Sequence, residues 1–355
     1  MGLVKSRAGR HFRALLRYGT LLRLWNIGMV EIERHLKRSR LHGHPYIAVI
    51  DPLNVCNLKC PFCPTGRGAL PLPPGRMPLD RYYEIVDRLA PHLVKLILYN
   101  WGEPFLHKDI LEMIRHAHMK GIATAVSSNL NVLPEGGGEA LVRSGLDDLI
   151  VSCDGLTQET YSVYRRGGSL DKVIAHLHDI SEARKKLKSR TPFIELQFLV
   201  FRHNEHEVAG FQEFAGRIGA DAARIARPYV NLESAEIQPA RNPVYVRPEY
   251  LDGKESEPTH ANIFNPDADQ ATCIAQNPPP LSCFWPWRAI VINWNGQVDP
   301  CCGKNYRSPF GNIFEEPFEA VWNGPAYIAA REWIAGKGGR NDWPDIVCRG
   351  CGGYR

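Results

Sequence analysis

The sequence predicts an α/β fold. A parallel sheet curls into a partial (β/α)6, TIM-like barrel, with a helical segment before it and a small β-hairpin and helix domain after it. Three observations predict this. Residues 46–227 alternate apolar strand-like runs with amphipathic helical ones, six times over. The loop "NVCNLKCPFCP" puts Cys56, Cys60 and Cys63 directly after the first run. Four more cysteines, Cys283, Cys301, Cys348 and Cys351, flank a hairpin signal further on. With 44% hydrophobic and 23% charged residues among 355, the composition is that of a globular chain able to bury a large core.

Residues 1–45 come first. "HFRALLRYGTLLRLWNIGMVEIERHLKRSR" repeats its apolar residues at three- and four-residue steps, as amphipathic helices do. This segment carries ten Lys/Arg against Glu31 and Glu33, a net +8, while the whole chain sums to +5, so residues 46–355 are at −3. The plain reading is a helix packed on the body with a solvated basic face. The sharper one is a foot on an anionic membrane surface, or on an anionic, phosphorylated or lipid-linked substrate. Arg10, Arg13, Arg17 and Arg23 interrupt every apolar stretch, so a signal peptide is not expected. No apolar run approaches the ~20 residues that span a bilayer, and the cytoplasm is the expected compartment. The segment resembles no known nucleic-acid-binding module, which argues against nucleic acid as a partner.

The barrel region, 46–227, reads in order. "YIAVID" precedes the cysteine loop and the helix "LDRYYEIVDRLA". "KLILYN" leads to "KDILEMIRHAHMKG", "IATAVSS" to "GEALVRSG", "DLIVSC" to a long helix over 169–188, and "FIELQFLVF" to "EVAGFQEFAGRIG"; "ARIARP" closes the series. Chemistry in such sheets sits at the C-terminal strand ends, which puts the cysteine loop at the active end. Residues 228–282 break the rhythm with nine of the 27 prolines and are expected to cross over the active site. Over 283–355, "AIVINWNGQVDPCC" predicts a hairpin turning at Asn295-Gly296, and "EEPFEAVWNGPAYIAAREWIAG" a helix.

Ten cysteines in a reducing compartment point to metal rather than disulfides. A zinc site completed by a distant ligand would use three of them. A cubane iron–sulfur cluster would use three and leave one iron open for something else to complete.

The spacing C-x3-C-x2-C at Cys56, Cys60 and Cys63 resembles the signature of the radical S-adenosylmethionine (SAM) enzymes. "YNWGEPFLH" resembles that family's GGEP motif, with Trp101 in place of the first glycine, and "SSN", "SCDG" and "RRGG" resemble its later motifs. The resemblance spans residues 46–227. It implies a 4Fe–4S cluster on the three cysteines whose open iron is chelated by SAM. It also implies contacts to SAM from Phe62, Trp101, Gly102, Glu103, Ser128, Asn129, Ser152, Asp154 and Arg165. Glu103 would accept from the methionyl ammonium and Arg165 would pair with the carboxylate. Cys153, between two of these, is expected to point into the core.

Cys283-x12-Gly296-x4-Cys301 followed by Cys348-x2-Cys351 resembles the SPASM extension of the same enzymes in its shortened "twitch" form. This implies a second, auxiliary 4Fe–4S cluster; structural zinc is the alternative, and Cys302 leaves a one-residue shift open. The family cleaves SAM to a 5′-deoxyadenosyl radical that abstracts hydrogen, with electrons from a flavodoxin- or ferredoxin-like reductant. The expected substrate is a small polar molecule, a sugar or cyclitol. It would be epimerised with a thiol hydrogen donor, Cys273 or Cys302, or dehydrogenated. Maturation of a peptide or protein is the alternative.

Overall fold

The computed structural model describes residues 7–228, 237–247, 283–302, 310–337 and 346–350. Two helices come first, α1 (Arg7–Tyr18) and α2 (Leu21–His35). Then β1 (Ile47–Ile50), α3 (Leu79–Leu89), β2 (Lys95–Ile97), α4 (Ile110–Met119) and β3 (Ala123–Ser128) follow one another. Next are α5 (Gly137–Arg143), β4 (Asp148–Ser152), α6 (Gln158–Tyr164), α7 (Leu170–Lys186), β5 (Phe193–Leu199), α8 (Val208–Arg217) and β6 (Ala222–Ala226). The series closes with α9 (Trp285–Arg288), β7 (Ala289–Ile292), β8 (Val298–Asp299), α10 (Phe318–Trp322) and α11 (Pro325–Ile334).

β1 to β6 pair in parallel, each with the next, as the strand–helix rhythm predicts. The inner strands are buried on both faces: in β1 the adjacent Ala48 and Val49, which point to opposite faces, are 0% and 2% exposed. That is why such strands read as apolar runs, whereas the edge strand β6 is only half-buried. Side-chain caps start the two helices after β4: Thr157 accepts from Thr160 N, and Ser169 from Lys172 N. The sheet order is β6-β5-β4-β3-β2-β1-β7-β8, so the barrel is partial and open. The hairpin forms where Asn295-Gly296 predicts it, with Gly296 at φ +83° and β7 antiparallel to β8. It does not stand apart, however: β7 pairs in parallel with β1 and extends the main sheet.

α1 closes the strand N-terminal end of the barrel. Arg10 Nη2 meets Glu195 Oε2 at 2.5 Å, and its Nε lies 3.3 Å from Asp148 Oδ1. Lys95, the first residue of β2, reaches Asp148 Oδ2 at 2.7 Å. A buried ion network of this kind fixes a position strongly, because leaving one charge behind without its partner costs about 3 kcal/mol or more. α2 corrects the expectation of a solvated basic face. Its polar Arg23, Asn26 and Glu33 point inward and are buried, while Leu21 and Trp25 point outward. Among the described residues no helix is long and apolar enough to cross a membrane.

Candidate active site

The site is built from loops at the C-terminal ends of β1 to β5. The loop after β1 folds back on itself: Cys63 N donates to Cys60 O at 3.1 Å, and Leu58 N points at Cys56 Sγ at 3.4 Å. Gly66, which sequence reasoning passed over, lies behind it. A Cβ there would stand 2.6 Å from Cys60 N, so only glycine lets the loop close. Cys60 and Phe62 are buried with Tyr164, Phe201 and Ile237, and Cys56 and Cys63 pack against that group. The Phe62 ring lies 6.1 Å from those of Tyr164 and Phe201.

The "WGEP" segment after β2 is pressed onto this loop. Glu103 N donates to Val55 O at 2.8 Å, and Thr65 Oγ1 to Trp101 O at 2.8 Å. A Cβ on Gly102 would collide with the Leu53 carbonyl. Trp101 is tolerated because its place is held by backbone, its N–H donating to Asp51 Oδ2 at 3.2 Å.

Glu103 is 2% exposed, and burial pushes its carboxyl up to about 7. Three donors hold it: Ser128 Oγ at 2.7 Å, Asn129 N at 2.8 Å and Phe105 N at 3.2 Å. Ser128 ends β3, so the residues the sequence singled out after β2 and β3 are joined by direct bonds. Asn129 continues the chain of contacts, with Nδ2 at 2.8 Å from Asn57 Oδ1 and 3.6 Å from Cys56 Sγ. Asn131, also overlooked, donates to Tyr161 OH at 2.8 Å and accepts from Ser169 N at 2.6 Å. A repeated Asn two residues after "SSN" was the available signal.

At the end of β4, Asp154 is fully buried and accepts from two protein groups, Arg165 Nε at 2.6 Å and Leu199 N at 2.7 Å. It positions Arg165, whose Nη1 then lies 3.9 Å from Cys60 Sγ. Lys59 N donates to Arg166 O at 2.9 Å, which ties the cysteine loop to the "RRGG" turn. Ser152 is half-buried at the end of β4, and Cys153 is a core thiol as its strand position predicts. His203, after β5, stacks on Phe201 with ring centroids 5.6 Å apart. Burial drops its pKa to about 4, and its Nε2 has no hydrogen-bond partner among the described residues.

These residues fit a 4Fe–4S cluster and SAM. Burial pushes Cys56 up to about 12 and raises Cys60, so bare thiols stay protonated near neutral pH and become thiolates on binding metal. Among the described residues no three His, Cys, Asp or Glu side chains gather as ligands of one ion. A cubane does not require that, since each thiolate takes its own iron. The buried carboxylate of Glu103 and the guanidinium of Arg165 suit the ammonium and carboxylate of an amino acid moiety. When bound, the pair of cofactors supplies a carbon radical able to take hydrogen from a C–H bond. The chain's own part is to hold, orient and wall off that chemistry.

Of the second cysteine set, Cys283, Cys301 and Cys348 are half-buried, and Cys351 lies outside the described residues, as does Cys273. Cys302 is half-buried beside Cys301. Helix α11 packs on the turn Val347–Gly350 that bears Cys348. From its first turn the fully buried Tyr327 presents a hydroxyl with no hydrogen-bond partner among the described residues. Burial raises its pKa, and nearby Asp299, Cys348 and Cys301 raise it further.

Comparison with known proteins agrees with this geometry. The profile of the radical SAM superfamily matches residues 50–209, and that of the SPASM iron–sulfur cluster-binding domain matches 283–352. The chain is 25% identical over 317 residues to the AdoMet-dependent heme synthase of Methanosarcina barkeri, covering 83% of this chain and 88% of that one. It is 24% identical over 328 residues to the PqqA peptide cyclase of Xanthomonas euvesicatoria, covering 86% and 80%. Among solved structures, SuiB of Streptococcus suis bound to S-adenosylmethionine superposes with a TM-score of 0.62 at 17% identity, over 91% of this chain and 75% of that one. The chain belongs to the radical SAM superfamily and carries a SPASM-type iron–sulfur domain, with SAM and 4Fe–4S clusters as its cofactors.

Proposed function

We propose that the chain is a maturase that takes a hydrogen atom from a peptide or protein side chain. The similarity to a peptide cyclase carries this reading, because it runs through both the barrel and the iron–sulfur region, 86% of the chain, rather than the common barrel alone. A sugar or cyclitol substrate, expected from the spare thiols, has no counterpart among the relatives described above. Of its two thiol donors, Cys273 lies outside the described residues and Cys302 adjoins a proposed cluster ligand. Cys56, Cys60 and Cys63 are proposed to hold the SAM-binding cluster, and Cys283, Cys301, Cys348 and Cys351 the auxiliary one. Glu103, Asn129 and Arg165 would orient SAM. A one-electron reductant such as a flavodoxin or ferredoxin completes the system.

The test is anaerobic turnover with SAM and reductant against peptides encoded beside the gene. The reading requires 5′-deoxyadenosine to form in step with a peptide that has lost two hydrogens. Turnover of a haem precursor instead would favour the second reading, which the nearly as long similarity to a heme synthase, 83% of the chain, supports. An inverted sugar carbon would restore the epimerase.

A further inference from the structure

We propose that the outward face of α1 and α2 lies on an anionic membrane surface, with the barrel mouth turned away from it. α2 is an inside-out helix. Its inward polar residues are all satisfied: Arg23 donates to Ala90 O and Lys120 O, both at 2.9 Å, and to Gly121 O. Asn26 exchanges two bonds with the His44 backbone, and Glu33 accepts from His42 N at 2.9 Å and Gly43 N at 3.1 Å. The outward stripe is apolar, with Leu21 at 88% exposure, Trp25 at 67%, Ile32 at 58% and Leu36 at 59%, spaced to share one helical face. α1 adds Phe12 and Leu16. Elsewhere among the described residues only Met119, Ile225 and Val244 are comparably exposed large hydrophobics, each far along the chain from the others, so this face is a patch.

Charge identifies what covers it. The two acidic residues of the segment are both used internally, Glu33 as above and Glu31 by Arg288, Arg34 and Tyr46. Arg13, Arg17, Lys37, Arg38 and Arg40 of the same segment are exposed. Arg17 pairs with Asp147 and Arg38 lies near Glu33, which leaves Arg13, Lys37 and Arg40 as its exposed cations outside any ion pair among the described residues. A second copy seated on this face would set cation against cation, whereas anionic headgroups complement it. A tryptophan among leucines with basic flanks is also the composition of a helix lying in the interface plane. Because α1 closes the strand N-terminal end and the cysteine loop lies at the opposite end, the lipid here is a docking surface and not the substrate.

The experiment is flotation of the full chain, handled anaerobically, with vesicles of phosphatidylcholine alone or with about 30% phosphatidylglycerol. Binding is expected to the anionic vesicles only, and to fall about tenfold when salt is raised to about 0.5 M. The double variant Leu21→Ser/Trp25→Ser should lose at least about tenfold in binding while keeping its circular dichroism and iron content. A second pair, Arg13→Gln/Arg40→Gln, leaves the stripe intact and should lower anionic binding about tenfold. Absence of flotation, or equal flotation on both vesicles, overturns the proposal. So does a dimer that Leu21→Ser/Trp25→Ser converts to monomer, with no vesicle binding by either form.

Discussion

Asp154 holds Arg165: Oδ2 accepts Arg165 Nε at 2.6 Å, and the guanidinium is thereby aimed at the cysteine loop, 3.9 Å from Cys60 Sγ. The aspartate is fully buried and the Arg165 side chain is 12% exposed, and the aspartate also pins the end of β5 through Leu199 N. Removing one partner of such a pair leaves the other charge uncompensated. Asp154→Asn is therefore expected to destabilise the fold by about 3 kcal/mol and to weaken SAM binding more than tenfold. Iron content should be retained, because no cysteine is touched. Calorimetric titration of the reconstituted variant with SAM decides it; unchanged affinity would show that Arg165 needs no positioning.

Glu103 gives a pH dependence. Its carboxyl, raised by burial to about 7, is protonated in the empty site below that pH, while an ammonium partner selects the ionised form. Binding must then release a proton below about pH 7, and affinity should fall about tenfold per pH unit as pH drops through that range, levelling off above it. The folded protein alone shows the opposite sign. A carboxyl raised above its unfolded value favours the fold less as pH rises from 4.5 to about 7. Titrations in buffers of different ionisation enthalpy count the proton. Glu103→Gln should abolish the release; if it persists, another group titrates.

Much of this was legible in the sequence, and the reasons are physical. Doubly buried parallel strands are mostly apolar, so the inner strands announced themselves, while β5, with its buried Glu195, and the half-exposed β6 were read from the rhythm of the series. Cluster ligation demands cysteines at set spacing, so Cys56, Cys60 and Cys63 did too. The short, polar α6 carries little periodic signal, and the pairing of β7 with β1 depends on tertiary geometry that no local pattern encodes. The sense of α2 was lost for a different reason. Amphipathicity separates two faces without saying which one the body covers, and here Arg23, Asn26 and Glu33 find backbone partners inside. A motif fixes a residue's place and not its partner, so the bond from Arg165 to Asp154 was not legible in it.

Gly66 supplies a packing prediction. The added methyl of Gly66→Ala would meet Cys60 N at 2.6 Å and Cys60 O at 2.9 Å, both backbone atoms that cannot swing aside. The cysteine loop must then shift, at a cost of about 1–3 kcal/mol. The expected result is a folded protein that reconstitutes with substantially less iron on the first site, read from the charge-transfer absorbance. Normal iron loading would mean that the loop rearranges freely and that Gly66 is incidental.

Tyr327 bears on the second cysteine set. Its buried hydroxyl has no hydrogen-bond partner among the described residues and lies near Cys301 and Cys348. A buried donor left unmatched costs about 1–3 kcal/mol, so retaining a tyrosine where phenylalanine would pack equally well argues for a partner supplied by the assembled site. Hydrogen bonds to cluster sulfurs favour the more negative, reduced state and raise the potential. Tyr327→Phe should therefore lower the auxiliary midpoint potential, by an amount on the order of tens of millivolts, and leave the SAM-binding cluster unmoved. Redox titration followed by electron paramagnetic resonance separates the two signals. An unchanged auxiliary potential, together with a more stable protein, would make Tyr327 a strained core residue and nothing more. A shift confined to the auxiliary signal would place its hydroxyl on that cluster.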